Sequence, residues 1–151
     1  MMKISQVMKI ISYWPPFLGA GIKVKEYDLD AGHIKVQLKR TPLNGNAFGT
    51  HFGGSLFAMC DPWFVFLAIH HLGSKYIVWD LSAEIDFVMA TKEPVFASFQ
   101  LSLEDISKIK QETEGGEKYC PEFPVEICTA TGELVAKVKK RIYVRKKKPK
   151  T

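Results

Sequence analysis

Gly53-Gly54-Ser55-Leu56-Phe57-Ala58-Met59-Cys60-Asp61-Pro62-Trp63-Phe64-Val65-Phe66-Leu67-Ala68-Ile69-His70-His71-Leu72-Gly73 is the most apolar stretch of this 151-residue chain. It is long enough for one helix and closes on Gly73, a favourable cap. A helix that is apolar nearly all round has to be buried on most sides. In a chain this short, only a sheet curved around the helix supplies that cover. Asp61-Pro62 interrupts the stretch at its middle, which leaves too short an apolar run on either side to span a bilayer.

The flanking sequence supplies the strands. Ile22–Leu29 and His33–Leu38 join through Asp30-Ala31-Gly32, a hairpin signal. Downstream, Ile77–Phe87 alternates strictly. Ile77, Trp79, Leu81, Ala83, Ile85 and Phe87 share one parity, and Asp80, Ser82, Glu84 and Asp86 the other. Val95–Leu103, Tyr119–Ala130 and Leu134–Val144 continue the strand pattern, with Lys140 the one break in the apolar parity of the last. Leu103–Glu117 is polar and reads as a short helix or loop. Ile4–Trp14 has helical spacing and stops at Pro15-Pro16. The expected fold class is α+β: a curved antiparallel β-sheet wrapped around a long central helix, with a short N-terminal helix. That is the hotdog architecture. An uncovered edge strand and helix face predict a homodimer, or a dimer of dimers.

Composition bounds the rest. With 46% hydrophobic residues, 10 Phe, 5 Tyr and 3 Trp, the chain is not disordered. One domain over residues 1–151 fits the length. The net charge of +5 belongs to one end: nine of the 21 basic residues follow Leu134, leaving 12 against all 16 acidic ones. Residues 145–151 read as a basic, frayed tail. Without aromatics interleaved on a basic face, a nucleic-acid partner is not expected. Cys60, Cys120 and Cys128 suit neither a disulfide framework nor a zinc site, and no signal core is present, so the expected location is cytoplasmic. No metal is expected. His70 and His71 read as helix-end residues.

Chemistry gathers at the start of the long helix. Asn46 lies in the preceding loop, His51 just before the helix, and Gly53-Gly54 lets backbone amides approach a ligand. Asp61 is an acid in an apolar helix, expensive unless paired or solvated. Such a carboxylate suits a general base on water, or direct attack on an acyl carbon. The Gly54 amide is the candidate oxyanion donor. Asp80 lies on the polar face of its strand, which faces solvent or, in a dimer, the partner's site.

The segment from Asn46 through Gly49-Thr50-His51-Phe52-Gly53-Gly54 to Asp61-Pro62 resembles the helix motif of hotdog acyl-CoA thioesterases of the phenylacetate-pathway type. It is closer to the branch known as domain of unknown function 4442. Gly19-Ala20-Gly21-Ile22, Tyr76-Ile77-Val78-Trp79-Asp80 and Tyr143-Val144-Arg145 extend the likeness. The resemblance implies hydrolysis of a coenzyme A or carrier-protein thioester, a substrate rather than a resident cofactor. It implies Asp61 as base or nucleophile, Gly54 at the oxyanion, and Asn46 orienting the water or carboxylate. Gly53, Phe57, Phe48 and Asp80 are the expected substrate contacts, and basic residues from Lys140 to Lys148 are candidates for the coenzyme A phosphates. Phe52 stands where the phenylacetate type has His, and His51 is displaced by one. That departure supports an alternative, a non-catalytic acyl- or lipid-binding hotdog protein.

Overall fold

The computed structural model describes residues 3–148. Its strands are β1 (Ile22–Asp28), β2 (His33–Leu38), β3 (Tyr76–Phe87), β4 (Val95–Gln100), β5 (Lys118–Tyr119), β6 (Glu122–Thr129) and β7 (Leu134–Lys146). They form one antiparallel sheet in the order β1-β2-β4-β6-β7-β3, with β5 also paired to β7. Ile34, Val36 and Leu38 of β2, Val95, Ala97 and Phe99 of β4, and Val138, Ile142 and Val144 of β7 are all buried. The alternation that predicted them therefore faces one concave core, as the hotdog architecture requires. The β1–β2 turn depends on Gly32, whose φ of 69° suits glycine and whose missing Cβ avoids the Leu101 carbonyl.

The central segment is the long helix that the apolar run predicted, interrupted once at Asp61-Pro62. It forms α3 (Gly53–Ala58) and α4 (Trp63–Leu72), separated by a turn with a cis Asp61–Pro62 bond. Pro62 carries no N–H for the helical ladder, and its ring would strike the carbonyl four residues back. The Met59 carbonyl released at the break accepts a 2.7 Å hydrogen bond from the buried Trp63 indole. Beyond the break α4 is the pillar of the core. Trp63 packs on Phe17, Phe66 and Phe99, and Phe64 stacks on Phe123 with centroids 4.6 Å apart.

The expected short N-terminal helix is present and is followed by a second. α1 (Ile4–Ile10) and a short 3-10 turn lead to α2 (Pro15–Ala20), so the proline pair opens a helix as well as ending one. Proline is pre-organised for the first helical turn, where its missing N–H costs nothing. Within the polar segment after β4, α5 (Leu103–Glu112) begins at a capping box between Ser102 and Asp105.

Two strand expectations need correction. The apolar parity of Ile77, Trp79 and Leu81 does not face the core. A bulge at Leu81, between Asp80 and Ser82, inserts one residue against β7 and inverts the facing. Ile77, Trp79 and Leu81 are exposed, whereas Asp80 turns inward. Phe87 is exposed as well, beyond the strand's partly buried Ala83 and Ile85. The frayed tail does not begin at 145: β7 runs to Lys146, and the Lys147 amide donates to the Lys75 carbonyl at 2.8 Å. The Arg145 guanidinium donates to the Gly116 carbonyl. Pro149–Thr151 lie outside the described residues.

Candidate active site

Asp61 sits in the turn between α3 and α4, with 54% of its side chain exposed. The break puts it there, since a carboxylate inside a continuous helix at this depth would be enclosed by the sheet. Two side chains approach it from the strands. Asp80 comes from β3, turned inward by the Leu81 bulge. Lys140 comes from β7, at an inward position between the buried Val138 and Ile142, with a side chain only 5% exposed. Its Nζ lies 2.7 Å from Asp80 Oδ1 and 3.7 Å from Asp61 Oδ1.

Desolvation dominates the electrostatics of Asp80. Burial pushes the Asp80 carboxyl up to about 6, and the neighbouring Asp61 carboxyl adds to the rise against the opposing pull of Lys140. A second carboxyl group close by disfavours the ionised form of Asp80, and the ammonium opposes that effect. Cys60, next to Asp61, is buried and its thiol is pushed up to about 12, chiefly by desolvation. It stays a thiol at neutral pH, which removes it as a nucleophile.

Gly53 and Gly54 open α3, and the ring of Phe52 lies over the position a Cβ on Gly54 would take. Gly53 is held against Phe87, whose Cζ would lie 3.0 Å from an added Cβ. Ser55 and Leu56 donate their amides to the Phe52 carbonyl, while the Gly53 and Gly54 amides precede the first helical acceptor. Asn46 serves its own loop. Its Nδ2 donates to Thr50 Oγ1 and the His51 carbonyl, and its Oδ1 accepts from the Phe48 and Thr50 amides. His51 is buried, with Nε2 donating to the Glu93 carbonyl at 2.6 Å. Neither residue bonds to Asp61. Phe57 is partly exposed, and Phe48 is 88% exposed at the loop tip.

Two hollows open along the central segment, neither lined by Asp61, Lys140 or Asp80. One, of about 290 Å³, is lined by Asn46, His51, Gly53, Leu56 and Phe87 among others. The other, of about 510 Å³, is lined by apolar residues almost throughout and lies between α1 and the central segment, where Pro62 and Phe66 face Ile10 and Trp14. His70 pairs with Asp30 at 2.8 Å, away from the site. Burial and the neighbouring His70 hold the His71 imidazole below its ordinary value.

Lys140 is the member of the site that sequence reasoning misses. Its signal is the one break in the apolar parity of Leu134–Val144, yet its place in a basic end suggests a phosphate contact. It is instead enclosed among acids. Asp80 belongs by alternation to an outward face, and the bulge that redirects it leaves no mark in that alternation.

Among curated proteins, none matches the chain. Solved structures share its fold at low identity. A Pseudomonas aeruginosa protein of unknown function, described as a probable thioesterase, superposes with a TM-score of 0.82 at 16% identity, over 95% of this chain and 96% of that one. A Chlorobaculum tepidum protein of unknown function gives 0.75 at 15%, over 95% and 94%. A Haemophilus influenzae thioesterase gives 0.70 at 13%, over 97% and 92%. The profile of the domain of unknown function DUF4442 matches residues 3–144, nearly the whole sequence, and the chain belongs to that family.

Proposed function

We propose that the protein is a thioester hydrolase acting on an acyl group carried by coenzyme A or a carrier protein, with Asp61 as general base. The observation that carries this reading is a charged cluster where an apolar core helix breaks. Charge in such a place is costly and marks sites more often than scaffolding. The neighbouring apolar hollow and the fold shared with proteins named as thioesterases add support.

In this mechanism Asp61 takes a proton from water as the water oxygen bonds to the thioester carbon. The carbonyl oxygen gains negative charge near the first-turn amides of α3, with Gly54 the candidate donor. The C–S bond then breaks, its electron pair stays on sulfur, and the thiolate receives the proton held by the carboxyl pair. The products are a carboxylic acid and a thiol. Thiol release from a panel of acyl-coenzyme A thioesters tests the assignment. Asp61→Asn is expected to lose about 100-fold or more in kcat/KM, the scale of a removed general base. Equal rates for variant and wild type would sink it.

A second reading rests on a specific observation: Asn46 and His51 are both engaged away from Asp61. A non-catalytic acyl-binding protein needs neither. Native mass spectrometry showing a retained acyl ligand, with no turnover of any thioester, would favour that reading.

A further inference from the structure

Three separate elements depart from regularity at one point. The central helix breaks at Pro62, β3 bulges at Leu81, and β7 places a lysine between the buried Val138 and Ile142. Each departure brings one member of the Asp61–Lys140–Asp80 trio into contact. The Lys140 stem lies between its register partners, the small Ala83 on β3 and Phe123 on β6. A scaffolding ion pair needs one carboxylate. Here a single buried ammonium faces two, one mostly buried and one more than half exposed. With both acids ionised the trio carries one net negative charge, and with one proton it is neutral. Uptake of a single proton therefore neutralises the trio.

Building on the reading of Asp61 as base, we propose that Lys140 is the positioning residue of the site: its ammonium holds the two carboxyl groups against each other, so that Asp80 takes up the proton that Asp61 draws from water. That proton then returns through the pair to the departing thiolate, so nothing beyond water is consumed. The charged groups facing Asp80 are Asp61 from the helix break and Lys140 from β7. The Cys60 thiol, beside the same ammonium, stays uncharged.

The experiment compares pH profiles of kcat/KM for the full chain and three variants, on the thioester that wild type hydrolyses best. Wild type is expected to gain activity as pH rises through about 6, where Asp80 ionises and becomes able to accept. Lys140→Met removes the charge at similar length, and its acid limb should move up by at least about 1 unit. Lys140→Arg, which keeps the charge, should bring the limb back toward wild type. Asp80→Asn should lose the limb and most of the rate. A carbon-13 titration of the aspartate carboxyl groups gives a readout independent of turnover, and the Asp80 signal should shift upward in Lys140→Met. If Lys140→Met does not fold, Lys140→Arg and Asp80→Asn carry the test.

Limbs unmoved in the Lys140 and Asp80 variants, with Asp61→Asn inactive, overturn the positioning role and leave the base standing. A carboxyl titration that shifts while the kinetic limb stays put also overturns it. Asp61→Asn at the wild-type rate brings down the base reading instead, and the proton relay with it.

Discussion

Asp80 is a partly buried carboxylic acid beside a lysine and a second carboxyl group, and its protonation couples to folding. Its proton is held more tightly in the folded chain, where the group titrates near 6, than in the unfolded chain, where it titrates near about 4. Between those values the folded state binds more protons, so Asp80 makes stability fall as pH rises from about 4 to about 6, with no further change above. Asp80→Asn keeps the oxygen facing Lys140 but cannot ionise. Urea midpoints measured at pH 4, 5, 6 and 7 should show this component of the slope in wild type and its loss in the variant. Parallel slopes in the two proteins would contradict the assignment. Lys140 illustrates the opposite cost. An ammonium this deep is tolerated only because two acids meet it, and removing its acids would leave a buried charge uncompensated.

At the scale of elements, the helix break is held by side chains as well as by Pro62. The Trp63 indole closes over the Met59 carbonyl and fills the space between Phe17, Phe66 and Phe99. Trp63→Phe keeps most of the packing and leaves that buried carbonyl without its donor. The expected loss is about 1–3 kcal/mol, read from the urea midpoint at unchanged slope. α5 offers a milder case. Ser102 Oγ accepts from the Asp105 amide at 3.0 Å, and Asp105 Oδ2 accepts from the Ser102 amide at 2.9 Å. Ser102→Ala should cost about 1 kcal/mol, as lost caps do. A larger loss in Ser102→Ala than in Trp63→Phe would mean that the cap of α5, and not the indole at the break, is the more important of the two restraints.

Over the whole molecule, the basic excess acquires a location. β7 lies between β3 and β6, and on the outer face Lys137 stands opposite Asp86 and Glu126, Lys139 opposite Glu84, and Arg141 opposite Glu122. Three of the nine basic residues at that end are thereby set beside acids on the adjacent strands, as cross-strand pairing favours. The free edge of β3 remains. It exposes Ile77, Trp79 and Leu81, with Trp79 stacked on Tyr143 at 3.9 Å. An edge this long and apolar calls for a cover, and a second copy pairing through β3 is the proposed one. Light scattering after size exclusion should give twice the chain mass at micromolar concentration. Ile77→Lys with Leu81→Lys should shift it toward the monomer, and a monomeric wild type would refute the pairing.

The apolar central segment, the hairpin at Gly32 and the inward faces of β2, β4 and β7 follow from local periodicity, because a side chain's facing within a regular strand depends on its parity alone. Asp61 stands out for the same reason, as an acid in an apolar run beside a proline. The rest of the trio does not. A bulge belongs to a pair of strands, so the turn of Asp80 into the core is absent from the alternation of Ile77–Phe87. Likewise Asn46 matches a motif in order and type, but its hydrogen bonds are taken by the loop it closes. Sequence order therefore sets the elements and names one acid. The pairing register, which no single segment contains, brings a distant lysine and a second acid to it.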